Sequence, residues 1–243
     1  DPRYELKYVD GEANSIIKEE LTEVIYYYNL KEADLTIRKT DKEGKGLSGA
    51  VFNVQNQENG KNVYVTTEEN GEIKAKASIG ETIITEVKAP DGYKLNKEPV
   101  NINIELDKEN QVTVQNEKYN TFDLNINKKD GETGENIKGV TFSLKYQTQY
   151  GEEKEEKYVT SENGTIKIEN LYDEIEYTLE ETGAPKGYVG EENKYRFKVH
   201  YVDGTYQIEV LEGKFDNLVI EENQVNVTVN NTPTLKVIKQ NEN

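Results

Sequence analysis

The chain has 243 residues, a hydrophobic content of 34% and a formal net charge of -17. So small an apolar fraction would make a thin core for one large domain, and two or more small domains fit better. The acidic excess argues against binding to nucleic acid or to an anionic membrane surface, because both attract Lys and Arg. The chain contains no cysteine, which excludes disulfides, thiol chemistry and cysteine-ligated metals.

The apolar residues are mainly of the kinds that favour β-strands. Val, Ile, Thr and 17 Tyr dominate, and no long stretch has the period of an amphipathic helix. We therefore predict an all-β protein. No signal peptide, lipidation signal or apolar run of membrane-spanning length is present, and the chain starts at Asp1 rather than Met. We expect an internal fragment of a longer protein.

Residues 1–31 contain two predicted strands, residues 4–9 and 24–28, on either side of a polar connection. A two-stranded sheet is only marginally stable in water by itself. We interpret this segment as the C-terminal strands of an upstream β-domain, because its Tyr-rich end resembles the last strands of mucin-binding-protein-like repeats in bacterial surface proteins. A hairpin packed on the following domain is an equally acceptable interpretation.

Residues 32–119 alternate short strand patterns with turn signals such as Asn70-Gly71 and Asp91-Gly92. Many short strands in so few residues are typical of an immunoglobulin-like or transthyretin-like β-sandwich. The predicted strands are residues 35–40, 51–55, 62–67, 72–75, 82–87, 100–106 and 111–117.

Residues 120–233 repeat the same order of motifs, which predicts a second sandwich. This copy is longer, and we predict an enlarged hairpin around Val202-Asp203-Gly204. Residues 234–243 resemble the start of a further repeat, in which Lys239 has no partner within the chain and should remain a free amine. The matching segments are residues 49–54 with 139–144, 70–74 with 163–167, 86–93 with 181–188, and 112–116 with 227–231.

The period-2 alternation of strands places polar side chains on faces that are predicted to be buried. An unpaired ammonium on such a face is costly, so an inward lysine needs partners. The alternation selects one carboxylate and one amide per repeat, and it excludes the neighbouring Glu180 and Asn230. The residues sent toward the core are Lys39, Glu86 and Asn116 in the first repeat and Lys128, Glu181 and Asn231 in the second.

If the three groups of a repeat meet, a reaction between them is expected. Desolvation favours the neutral, nucleophilic amine and the protonated carboxyl group. A carboxylic acid that donates to the asparagine side-chain carbonyl would polarise it. Attack by the lysine nitrogen on the asparagine Cγ, with loss of ammonia, would leave a permanent amide. An ordinary lysine-carboxylate pair at the sandwich edge is the alternative, and the alternation alone does not decide between the two.

Four motifs occur twice in the same order: Lys-x-Asp at residues 39–41 and 128–130, Gly-Ala/Val-x-Phe at 49–52 and 139–142, Glu-x-x-Ala-Pro-x-Gly-Tyr at 86–93 and 181–188, and Val-x-Asn at 114–116 and 229–231. In these motifs the repeats resemble the B-type (CnaB-type) domains of Gram-positive collagen-binding adhesins and the similar SpaA-like prealbumin-fold domains of pilins and surface proteins. The resemblance implies isopeptide bonds from Lys39 to Asn116 and from Lys128 to Asn231, assisted by Glu86 and Glu181. The longer second repeat departs from the compact pattern of the family.

We therefore expect a structural stalk segment of a bacterial cell-surface adhesin or pilus-like protein, extracellular and anchored to the cell wall through a region outside this chain. The alternative is a ligand-binding adhesin module, which would recognise a host matrix protein or glycan through the insert around residues 195–220.

We expect a monomer whose partners are the neighbouring domains of the same polypeptide, with no nucleic acid, cofactor, metal or membrane insertion. Apart from single-turnover self-cross-linking, no enzymatic activity is expected. The single histidine, His200, has no neighbouring His or Cys and is expected to face solvent.

Overall fold

A computed structural model of the protein describes residues 1–11, 24–188 and 193–233. These residues form eighteen β-strands and no helix, so the all-β prediction is confirmed. The chain divides into two compact units, Asp1–Lys118 and Tyr119–Asn243, which we call the first and second domains. Within the described ranges, no helix is long and apolar enough to cross a membrane.

The first domain has a three-stranded and a four-stranded sheet, and a separate two-stranded sheet at its N-terminus. Its strands are β1 (Tyr4–Asp10), β2 (Ile25–Leu30), β3 (Glu32–Thr40), β4 (Val51–Asn56), β5 (Asn62–Thr66), β6 (Glu72–Ser78), β7 (Gly80–Lys88), β8 (Val100–Ile104) and β9 (Asn110–Gln115). The strand orders are β1-β2, β6-β3-β9 and β5-β4-β7-β8. The first and last strands of the sandwich, β3 and β9, run parallel to each other.

The second domain is a sandwich of the same arrangement as β3–β9, with two more strands. Its strands are β10 (Thr121–Asp130), β11 (Thr141–Gln147), β12 (Glu153–Val159), β13 (Thr165–Tyr172), β14 (Glu176–Gly183), β15 (Lys194–Val202), β16 (Thr205–Glu212), β17 (Asn217–Glu221) and β18 (Gln224–Asn231). The strand orders are β13-β10-β18-β17 and β12-β11-β14-β15-β16. Here β10 and β18 are the parallel pair.

The extra strands of the second domain come from the longer insert. β15 and β16 form the predicted hairpin, and its two turn residues, Asp203 and Gly204, both adopt a positive φ (51° and 82°), as a two-residue turn that follows the strand twist requires. β17 pairs antiparallel with β18, so β18 has a neighbouring strand on each side. In the first domain, β3 is the only described strand that pairs with β9.

The inward residues of the first strands anchor the two cores. Leu35 and Ile37 on β3, and Phe122, Leu124 and Ile126 on β10, are completely buried. Because each fully buried side chain of this size contributes about 1.5–3 kcal/mol, the alternation of these strands fixes which face turns inward. The same alternation extends to the lysine at the end of each run.

The N-terminal segment that contains β1 and β2 contacts the sandwich of the first domain. Tyr4 packs against the first core, Leu30 is buried in it, and Arg3 Nη1 lies 3.0 Å from Glu58 Oε2. Assignment of residues 1–31 to an upstream domain stays a prediction. The predicted further repeat at residues 234–243 lies outside the described residues.

Candidate functional site

Each domain buries one lysine completely. Lys39 on β3 and Lys128 on β10 have no solvent exposure, because both continue an inward run of apolar residues. Removing an ammonium group from water costs several kcal/mol unless polar partners compensate. In both domains, the compensating partners are the glutamate and the asparagine that the alternation selects.

Lys39, Glu86 and Asn116 form the first cluster. Lys39 Nζ contacts Asn116 Oδ1 and lies 3.4 Å from Glu86 Oε1. The amide Nδ2 of Asn116 donates to the same Glu86 oxygen at 2.9 Å. The Lys39 and Glu86 side chains are both fully buried. The three groups therefore contact one another in a site closed to bulk water.

Lys128, Glu181 and Asn231 form the second cluster, in which the same three groups are in contact but each nitrogen faces a different oxygen of the glutamate. Lys128 Nζ donates to Asn231 Oδ1 at 2.5 Å and lies 3.0 Å from Glu181 Oε2. Asn231 Nδ2 donates to Glu181 Oε1 at 2.7 Å. The lysine side chain is again fully buried, and 1% of the glutamate side chain is exposed.

The strand register accounts for the match between the clusters. Lys39 lies opposite Val114 in the parallel pair of β3 and β9, and Lys128 lies opposite Val229 in the pair of β10 and β18. In both domains, the asparagine follows that valine by two residues and so turns to the same face of the sheet. A shift of either register by one residue would turn the asparagine away from the amine.

A phenylalanine lines each cluster. Glu86 lies opposite Phe52 and Glu181 lies opposite Phe142. The lysine Nζ atoms are 6.0 and 5.9 Å from the centroids of these two rings. A ring at this distance attracts a cation and excludes water from one side of it. The repeated Gly-Ala/Val-x-Phe motif was the only sequence signal for this contact, and it did not indicate the partner.

Burial changes the acidity of the first lysine. Desolvation lowers the pKa of Lys39 to about 8, although the Glu86 carboxylate acts in the opposite direction. A fraction of the amine is therefore neutral near neutral pH. The neutral amine is the form that can act as a nucleophile.

The Asn-Gly turns hold the backbone of both lysines. Lys39 N donates to Gly71 O at 2.7 Å, and Lys128 N donates to Gly164 O at 2.8 Å. Both glycines have a positive φ, and a Cβ at Gly71 or Gly164 would lie only 2.5 or 2.8 Å from the carbonyl oxygen of the lysine. No larger residue fits this close approach without moving the lysine strand.

Further hydrogen bonds around the clusters were not predicted from the sequence. In the first domain, the backbone N of Asn96 donates to Glu86 Oε2 at 2.8 Å. In the second, Asp130 accepts hydrogen bonds from the backbone N of Thr133 and the hydroxyl of Tyr188, both at 2.9 Å. The backbone N of Glu132 also donates to Asp130, at 2.8 Å, and these hydrogen bonds, above all those from the two backbone N–H groups, lower the pKa of Asp130. The Lys-x-Asp motif thus places an aspartate that stabilises the turn after the lysine strand.

His200 belongs to neither cluster and is half-buried on the outward side of β15. Its Nδ1 is 2.9 Å from Glu174 Oε1, and its Nε2 is 3.3 Å from Glu209 Oε2. The hydrogen bond with Glu174 is the main cause that raises its pKa. Among the residues that the structure describes, no group of three or more His, Asp or Glu side chains is placed to hold a metal ion.

Comparison with known proteins gives matches in both domains. The model of the SpaA prealbumin-like fold domain matches residues 33–118 and 122–214. The trypsin-resistant surface T6 protein of Streptococcus pyogenes serotype M6 is 34% identical over 117 residues, which are 47% of this chain and 21% of that protein. The chain therefore spans about a fifth of the length of this curated relative.

Solved structures show the same fold at low sequence identity. A streptococcal ancillary pilin superposes with a TM-score of 0.58 at 16% identity, over 91% of this chain and 73% of the pilin. The open conformation of the pilus adhesin SpaC from Lactobacillus rhamnosus GG gives a TM-score of 0.54 at 17% identity, over 89% of this chain and 33% of SpaC.

The two segments matched by the family model cover more than half of the chain, one in each domain. They contain both lysines and both glutamates of the clusters, and they begin where the parallel first strands begin. The chain therefore belongs to the SpaA family of prealbumin-like fold domains, as its repeated motifs predicted.

Proposed function

We propose that the chain is a structural segment of a bacterial cell-surface pilus or adhesin-like protein, and that each domain reinforces itself with a lysine-asparagine amide bond. Membership of the SpaA family and the likeness to a streptococcal surface protein and to pilus proteins support the first part. A cell-surface location, with wall anchoring through a region outside this chain, belongs to the same proposal. The two buried clusters support the second part.

One observation carries the cross-linking proposal: a single carboxyl group contacts both nitrogen atoms between which a proton must pass. Glu86 Oε1 lies 3.4 Å from Lys39 Nζ and 2.9 Å from Asn116 Nδ2. An ordinary ion pair needs only the first of these contacts. The second contact places the carboxyl group beside the nitrogen that would leave.

The reaction conserves atoms and charge. The neutral lysine Nζ attacks the asparagine Cγ, and a new C–N bond forms while the carbonyl electrons move onto Oδ1. The protonated glutamate gives its proton to Nδ2, and the resulting carboxylate takes a proton from Nζ. The Cγ–Nδ2 bond then breaks, ammonia leaves, and the glutamate is protonated again. Because the fold holds the groups together in a dry site, a slow bimolecular amidation becomes intramolecular.

The position of the bonds supports a mechanical role. Each bond would join the first strand of a sandwich to the end of its last strand, and the two bonded residues are 77 positions apart in the first cluster and 103 in the second. In the loop-entropy account, closing loops of this length stabilises the folded state by about 4–5 kcal/mol each. A pull on the two ends of a domain would load the covalent bond rather than the strands between.

The test is the intact mass of the purified chain. We expect a mass lower than that of the sequence by two ammonia molecules, because each domain loses one. Glu86→Ala and Glu181→Ala should each restore one ammonia, and fragmentation should yield a branched Lys39–Asn116 peptide and a branched Lys128–Asn231 peptide.

Glu180→Ala is the matched control, because Glu180 neighbours Glu181 but faces outward, where it pairs with Lys145 at 2.6 Å. This variant should keep both losses. An unshifted mass in the wild-type chain would overturn the cross-linking proposal for both domains. Loss of the shift in Glu180→Ala would show that surface contacts, rather than the buried carboxyl, control the reaction.

Ligand binding through the insert of the second domain stays a prediction. In the structure, the insert supplies β15, which takes the place of β8, and two added strands: β16 extends one sheet of the second domain and β17 extends the other. Its contribution to the sheets accounts for its presence without a ligand.

A further inference from the structure

The outer face of the four-stranded sheet in the first domain is almost free of charge. The outward side chains of β4 and β5 are Val51, Asn53, Gln55, Asn62, Tyr64 and Thr66. In a chain in which 32% of the residues are charged, an uncharged surface of this extent is unusual.

The neighbouring strands β7 and β8 continue this surface with Ile83, Thr85, Asn101 and Asn103. The charged outward residues of β7, Glu81 and Lys88, lie at its two ends. We call the uncharged outward residues of these four strands the neutral face.

The second domain shows that the fold does not require a neutral face. The strand pairing and the repeat place Lys145 at the position of Gln55 and Glu180 at the position of Thr85. Lys145 and Glu180 form an ion pair of 2.6 Å on the outer face of the second domain. The position of Tyr64 is occupied there by Lys157. The same sheet positions therefore accept charges, and their absence in the first domain is a property of that domain.

The chemistry of the neutral face fits a ligand rich in hydroxyl groups. Asn, Gln and Thr side chains both donate and accept hydrogen bonds without carrying charge. Tyr64 is 66% exposed and offers a ring face to the C–H groups of a sugar. The Asn53 side-chain oxygen, buried beneath its neighbours, has no hydrogen-bond partner. Rotation of this amide would present an unsatisfied group to a ligand hydroxyl.

The size of the neutral face argues against a second copy of the chain as the occupant. Four strands about 4.8 Å apart, each about five residues long at about 3.3 Å per residue, give a face of roughly 300 Å². A stable protein interface buries about 800 Å² on each partner. The face is large enough for a few sugar rings and too small for a stable dimer.

We propose that the neutral face binds a neutral oligosaccharide, with Tyr64 packed against one sugar ring and the surrounding amides bonded to its hydroxyl groups. This function goes beyond the proposed structural role and does not depend on the cross-links.

The test is binding of the full chain, presented multivalently, to an array of neutral oligosaccharides built from hexoses and N-acetylhexosamines, with sialylated and sulfated forms of the same sugars beside them. We expect binding to neutral members of the array. Tyr64→Ala should weaken it roughly tenfold or more, because Tyr64 supplies the only aromatic ring of the neutral face. The pair Gln55→Lys and Thr85→Glu, which copies the ion pair of the second domain, should weaken it similarly.

Lys157→Ala, at the position of Tyr64 in the second domain, is the control and should leave binding unchanged. The melting temperature and intact mass of each variant establish that the fold and the cross-links are retained. The proposal is overturned if no neutral sugar binds, if only sialylated or sulfated sugars bind, or if Tyr64→Ala binds as well as the wild type. Self-association that Tyr64→Ala abolishes would instead identify the face as an interface between copies. None of these outcomes changes the mass, so they leave the cross-linking proposal intact.

Discussion

The two domains share one buried cluster but differ in what surrounds it. In the second domain, the strand that ends with Asn231, β18, lies between β10 and β17. In the first, β9 precedes Asn116 and, among the described strands, pairs with β3 alone. The same groups are nevertheless in contact inside both clusters. The lysine amine contacts the asparagine oxygen and the carboxyl group, and the asparagine nitrogen donates to that carboxyl group. The geometry of the cluster therefore depends on the parallel pair of first and last strands and on the strand that carries the glutamate. It does not depend on whether a further strand pairs with the last strand.

The two domains also differ in the number of strands that pair with the last strand. Five residue pairs between β17 and β18 add a second hydrogen-bonded edge in the second domain. Among its described strands, the first domain has no such second edge, so its last strand is held by one neighbour and, in our proposal, by the covalent bond. The covalent bond should therefore stabilise both domains by similar amounts against global unfolding. Against local opening of the last strand, it should protect the first domain more than the second.

The largest expected effect is on global stability. The double variant Glu86→Gln and Glu181→Gln keeps the size of both side chains but removes the proton transfer. We expect the free energy of unfolding of each domain to fall by about 4–5 kcal/mol, and each melting temperature to fall on the order of 20 °C. Calorimetry of the full chain measures both transitions. Because the stabilisation depends only logarithmically on loop length, the two domains should lose similar amounts.

Glu180→Gln serves as the control for this comparison, and a change within about 0.5 kcal/mol is expected for this outward residue. If only one transition moves in the double variant, the domains differ in bond formation, and the equivalence of the two clusters is wrong.

A smaller effect is expected on local opening in the same double variant. Without the covalent bond, β9 should open more readily than β18, because it has one hydrogen-bonded edge rather than two. We expect the amides of Val112 and Val114 to exchange hydrogen roughly tenfold faster than those of Val227 and Val229. Hydrogen exchange followed by mass spectrometry or NMR measures this difference. In the cross-linked wild type both pairs should be protected, and equal exchange in the variant would show that β17 does not secure β18.

Much of the candidate site was predictable from the sequence because it depends on a local rule. Alternation placed Lys39 and Lys128 on buried faces, and the structure confirms their burial. The same rule separated Glu181 from Glu180, which faces outward beside Lys145. The repeat then identified the corresponding residues in both domains. Each of these steps needs only the period of a strand and the positions of its apolar residues.

The contacts that were missed depend on pairing between distant strands. The placement of β17 beside β18, and the contact of Phe52 with the lysine amine, require the tertiary register. The neutral face likewise becomes visible only when residues of four strands are laid side by side. Alternation tells which side of a strand is buried, but it carries no information about the neighbouring strand.

The smallest expected effect is a difference between the domains in the pH dependence of their stability. It arises from the single histidine, which lies in the second domain. Hydrogen bonding with Glu174 raises the pKa of His200 above its ordinary value of about 6.5. Its charged form therefore stabilises the folded state fully below that ordinary value, and this contribution is lost as the pH rises through the raised pKa. Between about pH 6 and 8 the second transition should fall relative to the first by a few tenths of a kcal/mol, since the pair is partly exposed. Calorimetry at both pH values measures it, and His200→Gln should make the two transitions respond alike. An unchanged pH response in that variant would assign the difference to other groups.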